Sequence, residues 1–284
     1  MRFQIYESAE NFYEKAIPFL KENEDKFSLF LGVLERIRVG GYENPLMATI
    51  EEDGELIALF QMTPPHPLNI IFVDPNKIEA STDLGIEEII QRGIHIDSII
   101  SVKDWAMHFA EKWEEKTGQP HSLLMDQGLY RLDHVDDMLK ASPGSWRLAN
   151  DKDAPLIESW LSQFEGDTGL PRSAKEDIAQ RVEAMLNARE VFLWEDEGEI
   201  VSMMKKARPS AHGVTVSMVF TPKEKRRKGY GRTMVAACSK ELLKQYNFCV
   251  LYTDMLNPTS NKIYQEIGYQ KLLDSVHLQL GETK

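Results

Sequence analysis

KEKRRKGYGR, residues 223–232, has six basic residues and one acidic residue, whereas the whole chain of 284 residues has a formal net charge of −12. An apolar run at Val214–Phe220 precedes this segment, and an apolar stripe with helical spacing follows it from about Tyr230 to Tyr246. This order predicts a strand, a glycine loop and a helix. The first amides of a helix lack intrahelical acceptors and glycine lacks a Cβ, so such a junction is suited to bind a diphosphate.

The spacing of the glycines separates this loop from two common nucleotide-binding loops. It has no Gly-Lys-Ser/Thr at Walker A spacing. Met234 stands where the dinucleotide motif Gly-x-Gly-x-x-Gly has its third glycine. Arg226-Arg227-Lys228-Gly229-Tyr230-Gly231 instead resembles the Arg-x-x-Gly-x-Gly/Ala signature of the GCN5-related N-acetyltransferases (GNATs). The alternative for the loop alone is a basic, solvated turn at the start of a helix.

A second motif follows the predicted strand Cys249–Thr253. The segment NPTSNKIYQEIGY, residues 257–269, is similar to the GNAT segment in which an Asn opens a helix, a Tyr follows seven residues later, and Gly-Phe/Tyr ends it. Asn257 is a favourable N-cap, with Pro258 at the first helical position, and Gly268 is a natural C-cap. The resemblance covers about residues 146–280.

An internal repeat predicts a second copy of the same plan. Hairpin turns at Gly54 and Gly198 lie 144 residues apart, and the strand-ending Pro75 and Pro222 lie 147 apart. The resemblance therefore implies an α/β (α+β) chain of two GNAT-like domains, each a central mixed, mostly antiparallel sheet flanked by helices. We expect a domain at 1–143 and a GNAT domain at 144–284. The first lacks both the basic cluster and Gly-x-Gly after its proline, so we expect it to be degenerate and not to bind the cofactor.

The resemblance further implies an acetyl-CoA-dependent N-acetyltransferase that acts on the primary amine of a small molecule or peptide, with Tyr264 as general acid. The implied coenzyme A contacts are the main chain of Val219, Phe220 and Thr221, the loop residues Arg226, Arg227, Lys228, Gly229, Tyr230, Gly231 and Arg232, and also Asn257 and Ser260.

The general base stays open in the sequence. The predicted strand Val214–Phe220 contains no Glu. His212 and Asp254 are candidates, and a water relay or an amine that arrives neutral is an equal alternative. The missing Glu also leaves open a non-catalytic acyl-CoA sensor or interaction module of the same fold.

Composition and charge disfavour other classes of function. The two cysteines, Cys238 and Cys249, form no Cys-x-x-Cys pair, and the seven histidines are scattered, so we expect neither a disulfide framework nor a metal site. The acidic net charge argues against nucleic-acid or acidic-membrane partners. No apolar run is long enough to span a bilayer, and no signal peptide is recognisable, so a cytoplasmic location is expected.

Two further helices are predicted from local patterns. Ser173-Ala174-Lys175-Glu176 reads as a capping box that opens a helix with Ile178 and Val182 inward. Apolar residues spaced three and four apart from Ile99 to Trp113 predict one helix in the first half, which ends before Gly118.

Overall fold

The structure of the protein, a computed structural model, describes residues 1–168 and 172–282. This part of the chain forms two compact units. Unit 1 consists of Met1–Leu129, Thr253–Pro258 and the described part of Lys271–Lys284. Unit 2 consists of Tyr130–Tyr252 and Thr259–Gln270.

Unit 1 is a sheet with helices packed on it. Its elements are β1 (Arg2–Ile5), α1 (Ala9–Glu22), α2 (Ser28–Arg38), β2 (Leu46–Glu52), β3 (Glu55–Met62), β4 (Leu68–Phe72), α3 (Ile78–Gln91), β5 (Ser98–Val102), α4 (Lys103–Thr117), the start of β6 (His121–Leu132), and β12 (Gln270–Leu280). Along the sheet the strands follow the order β1-β2-β3-β4-β5-β12. The β4–β5 pair is parallel, and the other pairs in this order are antiparallel.

Alternation along β3 explains why both faces of this sheet are covered. Leu59 packs with the buried faces of α1 and α2, which include Phe12 and Leu34. Ala58 and Phe60 point to the opposite face and belong to a second apolar cluster. Successive strand residues face opposite sides of a sheet, so a strand that is apolar throughout requires a layer on each side.

Strand β12 joins unit 1 although it lies far from that unit in sequence. Residues 275–279 pair antiparallel with residues 102–98 of β5, and Ser275 Oγ donates to the Ser101 carbonyl at 2.9 Å. Val276 and Leu278 are buried in the core of unit 1. These bounds differ from the expected segments 1–143 and 144–284, because a strand pairing across more than 170 residues leaves no local signal.

Unit 2 repeats the element order of unit 1. It contains β7 (Ser145–Leu148), α5 (Ala154–Asp167), α6 (Lys175–Asn187), β8 (Val191–Asp196), β9 (Glu199–Ala207), β10 (Gly213–Phe220), α7 (Tyr230–Leu242), most of β11 (Phe248–Asp254), and most of α8 (Pro258–Ile267). Its strand order is β6-β11-β10-β9-β8-β7, with the end of β6 at one edge. The β10–β11 pair is parallel, whereas β7, β8, β9 and β10 pair antiparallel in turn. The predicted fold class, with mixed, mostly antiparallel sheets flanked by helices, is confirmed.

Two local predictions were wrong in detail. Ala174 is the N-cap residue of α6 and no side chain caps the helix. Ser173 instead donates to the buried Glu165 carboxylate, from its hydroxyl at 2.8 Å and from its amide at 3.0 Å. In the first half, Ile99 and Val102 lie on β5, and the helix begins after them. A short apolar run fits both periodicities, so spacing alone merged the strand with the helix.

Candidate functional site

Strands β10 and β11 of unit 2 begin side by side and then separate. Their parallel register covers three residue pairs, from Gly213–Phe248 to Thr215–Val250. Strand β10 nevertheless continues to Phe220. Its later residues keep β9 as a neighbour and lose β11, so the sheet opens beyond Thr215.

A β-bulge lies on β10 at this opening. The register with β9 shifts between Ser217 and Phe220, and Met218 has a φ of 49°. Ser217, Met218 and Val219 are half-buried, whereas Val216 and Phe220 on either side are buried. A left-handed conformation costs an L-residue about 1–2 kcal/mol, and bulges commonly re-aim backbone groups beside functional sites. The bulge therefore exposes backbone in the middle of an otherwise buried strand.

The strand leads into a loop that ends at the N-terminus of α7. After a short 3₁₀ turn at Lys223–Lys225, Arg227 and Gly229 both adopt positive φ, at 65° and 81°. The first amide with a helical acceptor is that of Thr233, which donates to the Gly229 carbonyl at 3.0 Å. Within the ranges that the structure describes, the amides from Arg227 to Arg232 have no backbone acceptor. They form an electropositive cradle with the helix dipole.

Gly229 is sterically required, whereas Gly231 leaves only a tight fit for a larger residue. A Cβ on Gly229 would lie 2.6 Å from Ser142 Oγ, and one on Gly231 would lie 3.1 Å from Thr221 Oγ1. Ser142 holds the loop in place, because its hydroxyl donates to the Lys228 carbonyl at 2.8 Å. Sequence reasoning treated the turn around Ser142 as a domain boundary and missed this role.

The basic side chains of the loop fall into two groups. Arg226 pairs with Asp167, and its charge holds the pKa of that carboxyl below its ordinary value. Arg232 donates to Glu266 at 2.8 Å. Arg227 and Lys228 are exposed and have no ion pair in the described part of the chain. The structure therefore leaves these two cations available to an anion, whereas Arg226 and Arg232 already have carboxylate partners.

Other expected contacts along the strand are partly occupied. Ser202 Oγ donates to the Phe220 carbonyl at 2.9 Å, and Arg226 Nε donates to the Thr221 carbonyl at 2.8 Å. Tyr230 packs in the core, and its hydroxyl donates to Asp196 at 2.6 Å. The side chain of Tyr230 thus anchors the helix start, and its amide belongs to the cradle.

Tyr264 lies on α8 and is 8% exposed. Its ring packs edge-to-face on Tyr269 at 5.9 Å, and burial raises the pKa of Tyr264 to about 12. The phenol therefore keeps its proton at neutral pH, as a general acid must. Asn257 directly precedes α8 and is exposed, and Ser260 is in the first turn of the helix.

The two candidates for the general base differ in position. His212 precedes the first residue of β10, six residues before Met218, which corresponds to about 20 Å along a strand. That distance disfavours it as a base acting at the bulge. Asp254 ends β11, and its carboxylate accepts a hydrogen bond from the Leu256 amide at 2.8 Å.

At the corresponding place in unit 1, side chains of the protein contact the end of β4. Between β4 and β5, Ser101 Oγ donates to the Ile70 carbonyl at 2.6 Å. Trp105, at the start of α4, packs edge-on against Phe72 at 5.7 Å. After β4, Asp74 accepts from the Asn76 amide at 2.9 Å, so a carboxylate lies near the start of the helix. This junction has one cation, Lys77, which pairs with Glu52, and it lacks the basic cluster of unit 2.

The rest of the described chain adds little chemistry to this site. Burial raises the pKa values of both Cys238 and Cys249, so neither thiol is activated. Across residues 1–168 and 172–282, His, Cys, Asp and Glu side chains form no cluster that fits a metal ion. Over the same residues, every helix is too short or too polar to cross a bilayer.

Comparison with known proteins agrees with this geometry. The family model described as FR47-like protein matches residues 197–278, which contain both the basic loop and α8. A GNAT-family acetyltransferase from Colwellia psychrerythraea covers 99% of this chain and 100% of its own, with a TM-score of 0.63 and 9% identity. The chain has the GNAT fold. A search of curated proteins finds no match.

Two further structures with the GNAT fold are similar. A GCN5-related N-acetyltransferase from Sphaerobacter thermophilus has a TM-score of 0.62 at 16% identity, over 88% of this chain and 87% of its own. A tandem GNAT protein from the clavulanic acid biosynthesis pathway has a TM-score of 0.58 at 11% identity, over 100% of this chain and 99% of its own. The predicted resemblance to the GNAT fold is confirmed.

Proposed function

We propose that this chain is an acetyl-CoA-dependent N-acetyltransferase that acetylates the primary amine of a small molecule or peptide. One observation carries the proposal. The opening between β10 and β11, with its bulge at Met218, leads along β10 into the basic, amide-rich start of α7. A long ligand with a diphosphate at one end fits this continuous path.

The residues present fit coenzyme A. The amides from Arg227 to Arg232, with the side chains of Arg227 and Lys228, would hold the diphosphate. The main chain of Val219 to Thr221 would pair with the pantetheine arm. Arg226 and Arg232 would contribute if they exchanged their carboxylate partners for phosphate, and Ser260 would bind in the first turn of α8. Bound acetyl-CoA supplies a thioester, whose carbonyl carbon accepts the lone pair of an amine while the thiolate leaves.

Two chain groups would assist the transfer. A backbone amide of the bulge at Met218 would stabilise negative charge on the carbonyl oxygen, because a fixed dipole in a half-buried cleft needs no reorganisation. Tyr264 would donate its proton to the departing thiolate. A water molecule that relays the proton of the amine would serve as the proton acceptor, or the amine would arrive neutral and lose its proton to water after the attack.

A thiol-release assay over a panel of primary amines tests the proposal. We expect coenzyme A release to require an amine, and we expect Tyr264→Phe to lower turnover by about 10²-fold or more while coenzyme A affinity stays within about twofold. Tyr246→Phe, beyond the last residue of α7, is the matched control and should keep full turnover. Binding of acetyl-CoA without amine-dependent release from any acceptor would reject the enzyme.

That rejecting result defines the second candidate, a non-catalytic acyl-CoA sensor of the same fold. The observation that favours it is the polar content of β10, where Thr215 and Ser217 occur and no carboxylate does. A sensor requires coenzyme A affinity that is insensitive to Tyr264→Phe and no turnover in either protein.

A further inference from the structure

Unit 1 contains a cavity of about 430 Å³ that the acetyltransferase proposal does not use. It lies where β1, β2 and β3 reach the same end of the sheet: Ile5 ends β1, and Leu46 pairs with Met62 where β2 begins and β3 ends. The β3–β4 turn and the residues that precede β5 line its other sides, and the cavity opens to solvent. Ligand pockets in proteins commonly have volumes of about 300–1,000 Å³.

The walls of this cavity are mainly apolar. Seven of its eleven lining residues are aliphatic or proline, and Leu46, Met62 and Ile94 are among them. The walls are also held firmly, because Leu46 and Met62 belong to a regular hairpin and the Ile94 amide donates to the Ile89 carbonyl at 3.0 Å. Such a surface favours a ligand with a compact apolar body.

Two of the four polar lining residues form a hydrogen-bonded pair. His95 Nε2 lies 3.0 Å from Asp97 Oδ1, and both residues line the cavity with His66 and Asn44. A carboxylate accepts only, so Nε2 carries the hydrogen and Nδ1 of the neutral ring is an acceptor. Within the described chain, neither Nδ1 of His95 nor Oδ2 of Asp97 has another partner. The site therefore offers acceptors to a donor.

The main chain at Asp97 is anchored, and the side chains of His95 and Asp97 are 75% and 55% exposed at the mouth of the cavity. The Asp97 carbonyl accepts hydrogen bonds from the Leu280 amide at 2.8 Å and from Gln279 Nε2 at 2.9 Å. Both donors are on β12, which pairs with β5 next to Asp97. The ring of His66 is held edge-on by Tyr42 at 6.0 Å.

The charge of the site selects among donors. If histidine is counted as neutral, Asp97 carries the one charge among the described residues that line the cavity, and these residues include no Lys or Arg. The nearest arginine in sequence, Arg92, is paired with Glu88 at 2.7 Å. Among the described lining residues, an ammonium would find a carboxylate and an imidazole acceptor, whereas an anionic ligand would find no lysine or arginine; Arg36 lies behind the lining, over the ring of Tyr42.

We propose that this cavity binds a small apolar amine, with its ammonium at the His95–Asp97 pair and its body against Leu46, Met62 and Ile94. The site lies wholly within unit 1 and does not depend on acetyl transfer in unit 2. It gives the N-terminal copy a binding function of its own, near the start of β4.

Titration of the full chain with 2-phenylethylamine tests this site, with 2-phenylethanol and 3-phenylpropanoate as neutral and anionic probes. No acyl-CoA is present, so failure of the proposed acetyltransferase would not affect the result. Calorimetry gives the affinity, and the ¹³C-labelled ring resonances of His66 and His95 report the location. We expect saturable binding of the amine, at least about tenfold weaker binding of the alcohol, and none of the carboxylate.

Three variants make the test specific. Asp97→Asn should weaken the amine by at least about tenfold and leave the alcohol unchanged, because it removes charge and keeps shape. Ile94→Phe should weaken the amine and the alcohol alike by narrowing the cavity. Asp53→Asn is the matched control at the other end of the β2–β3 hairpin, where Asn also tolerates the positive φ of 53°. Equal affinity of Asp97→Asn and wild type for the amine would overturn the proposal, as would amine binding that leaves both histidine rings unperturbed.

Discussion

Replacing Gly229 by Ala should destabilise unit 2 and weaken coenzyme A binding. Gly229 has a φ of 81°, and an L-residue in that region costs about 1–2 kcal/mol. The new Cβ would lie 2.6 Å from Ser142 Oγ, so Ser142 would have to move and lose its 2.8 Å hydrogen bond to the Lys228 carbonyl. That bond contributes about 1 kcal/mol. Together we expect a loss of about 2–3 kcal/mol in the free energy of unfolding.

Gly231→Ala is the matched control in the same loop. Gly231 lies inside α7 and is not among the residues with positive φ, so Ala gains about 1 kcal/mol of helix propensity. Its Cβ would lie 3.1 Å from Thr221 Oγ1, a tight contact that offsets part of this gain. We expect a free energy of unfolding within about 0.5 kcal/mol of wild type.

Urea unfolding and coenzyme A calorimetry on both variants provide the assay. Adding Ser142→Ala to Gly229→Ala removes the clashing hydroxyl, so the two changes should be non-additive by about 1 kcal/mol. Coenzyme A affinity should fall about tenfold or more for Gly229→Ala, because the amides of the cradle move with the loop. If Gly229→Ala unfolds with wild-type free energy, or if the changes at 142 and 229 are additive, the steric argument is refuted.

Three further outcomes are expected. Deleting residues 270–284 removes three buried apolar side chains of β12, whose burial contributes roughly 5–9 kcal/mol to stability. The amides of residues 98–102 should then lose their protection from hydrogen exchange, and retained protection would contradict the pairing of β12 with β5. Burial raises the pKa of Tyr264 to about 12, so the free energy of unfolding should fall as pH rises from 10 to 12, by up to about 1.4 kcal/mol per pH unit. If the unfolding free energy of Tyr264→Phe falls with pH as steeply as that of wild type, this expectation is contradicted. Burial alone would raise the pKa of Glu165, but hydrogen bonds from Ser173 and Arg181 lower it. Arg181→Met should therefore reduce the free energy of unfolding by about 1–3 kcal/mol at pH 7, and this loss should shrink as pH falls below the ordinary carboxyl pKa. A loss that does not change with pH would count against the ion pair.

Local motifs carried most of what the sequence predicted. The loop at 223–232 and the segment at 257–269 predicted a strand, loop and helix in the right order, because glycine, proline and basic residues have strong positional preferences. The acidic turns at Gly54 and Gly198 predicted both hairpins for the same reason.

Long-range partners were not predictable in the same way. Arg226 and Arg232 have motif positions that suggest phosphate, yet their carboxylate partners, Asp167 and Glu266, lie 59 and 34 residues away. Ser173 has the spacing of a capping box, but the buried Glu165 offers a stronger, charged acceptor. The bulge at Met218 has no sequence signature, because a methionine stands at its positive φ, where glycine or asparagine is the usual residue.

The placement of β12 has a consequence for synthesis on the ribosome. The first 129 residues emerge early, but the strand that closes their sheet begins about 140 residues later. At roughly 5–20 residues per second, the exposed edge of β5 must wait roughly 7–28 s for its partner. During that interval the nascent segment presents an unpaired strand to other chains, so its vulnerability to aggregation depends on the order of translation as well as on the stability of the finished protein.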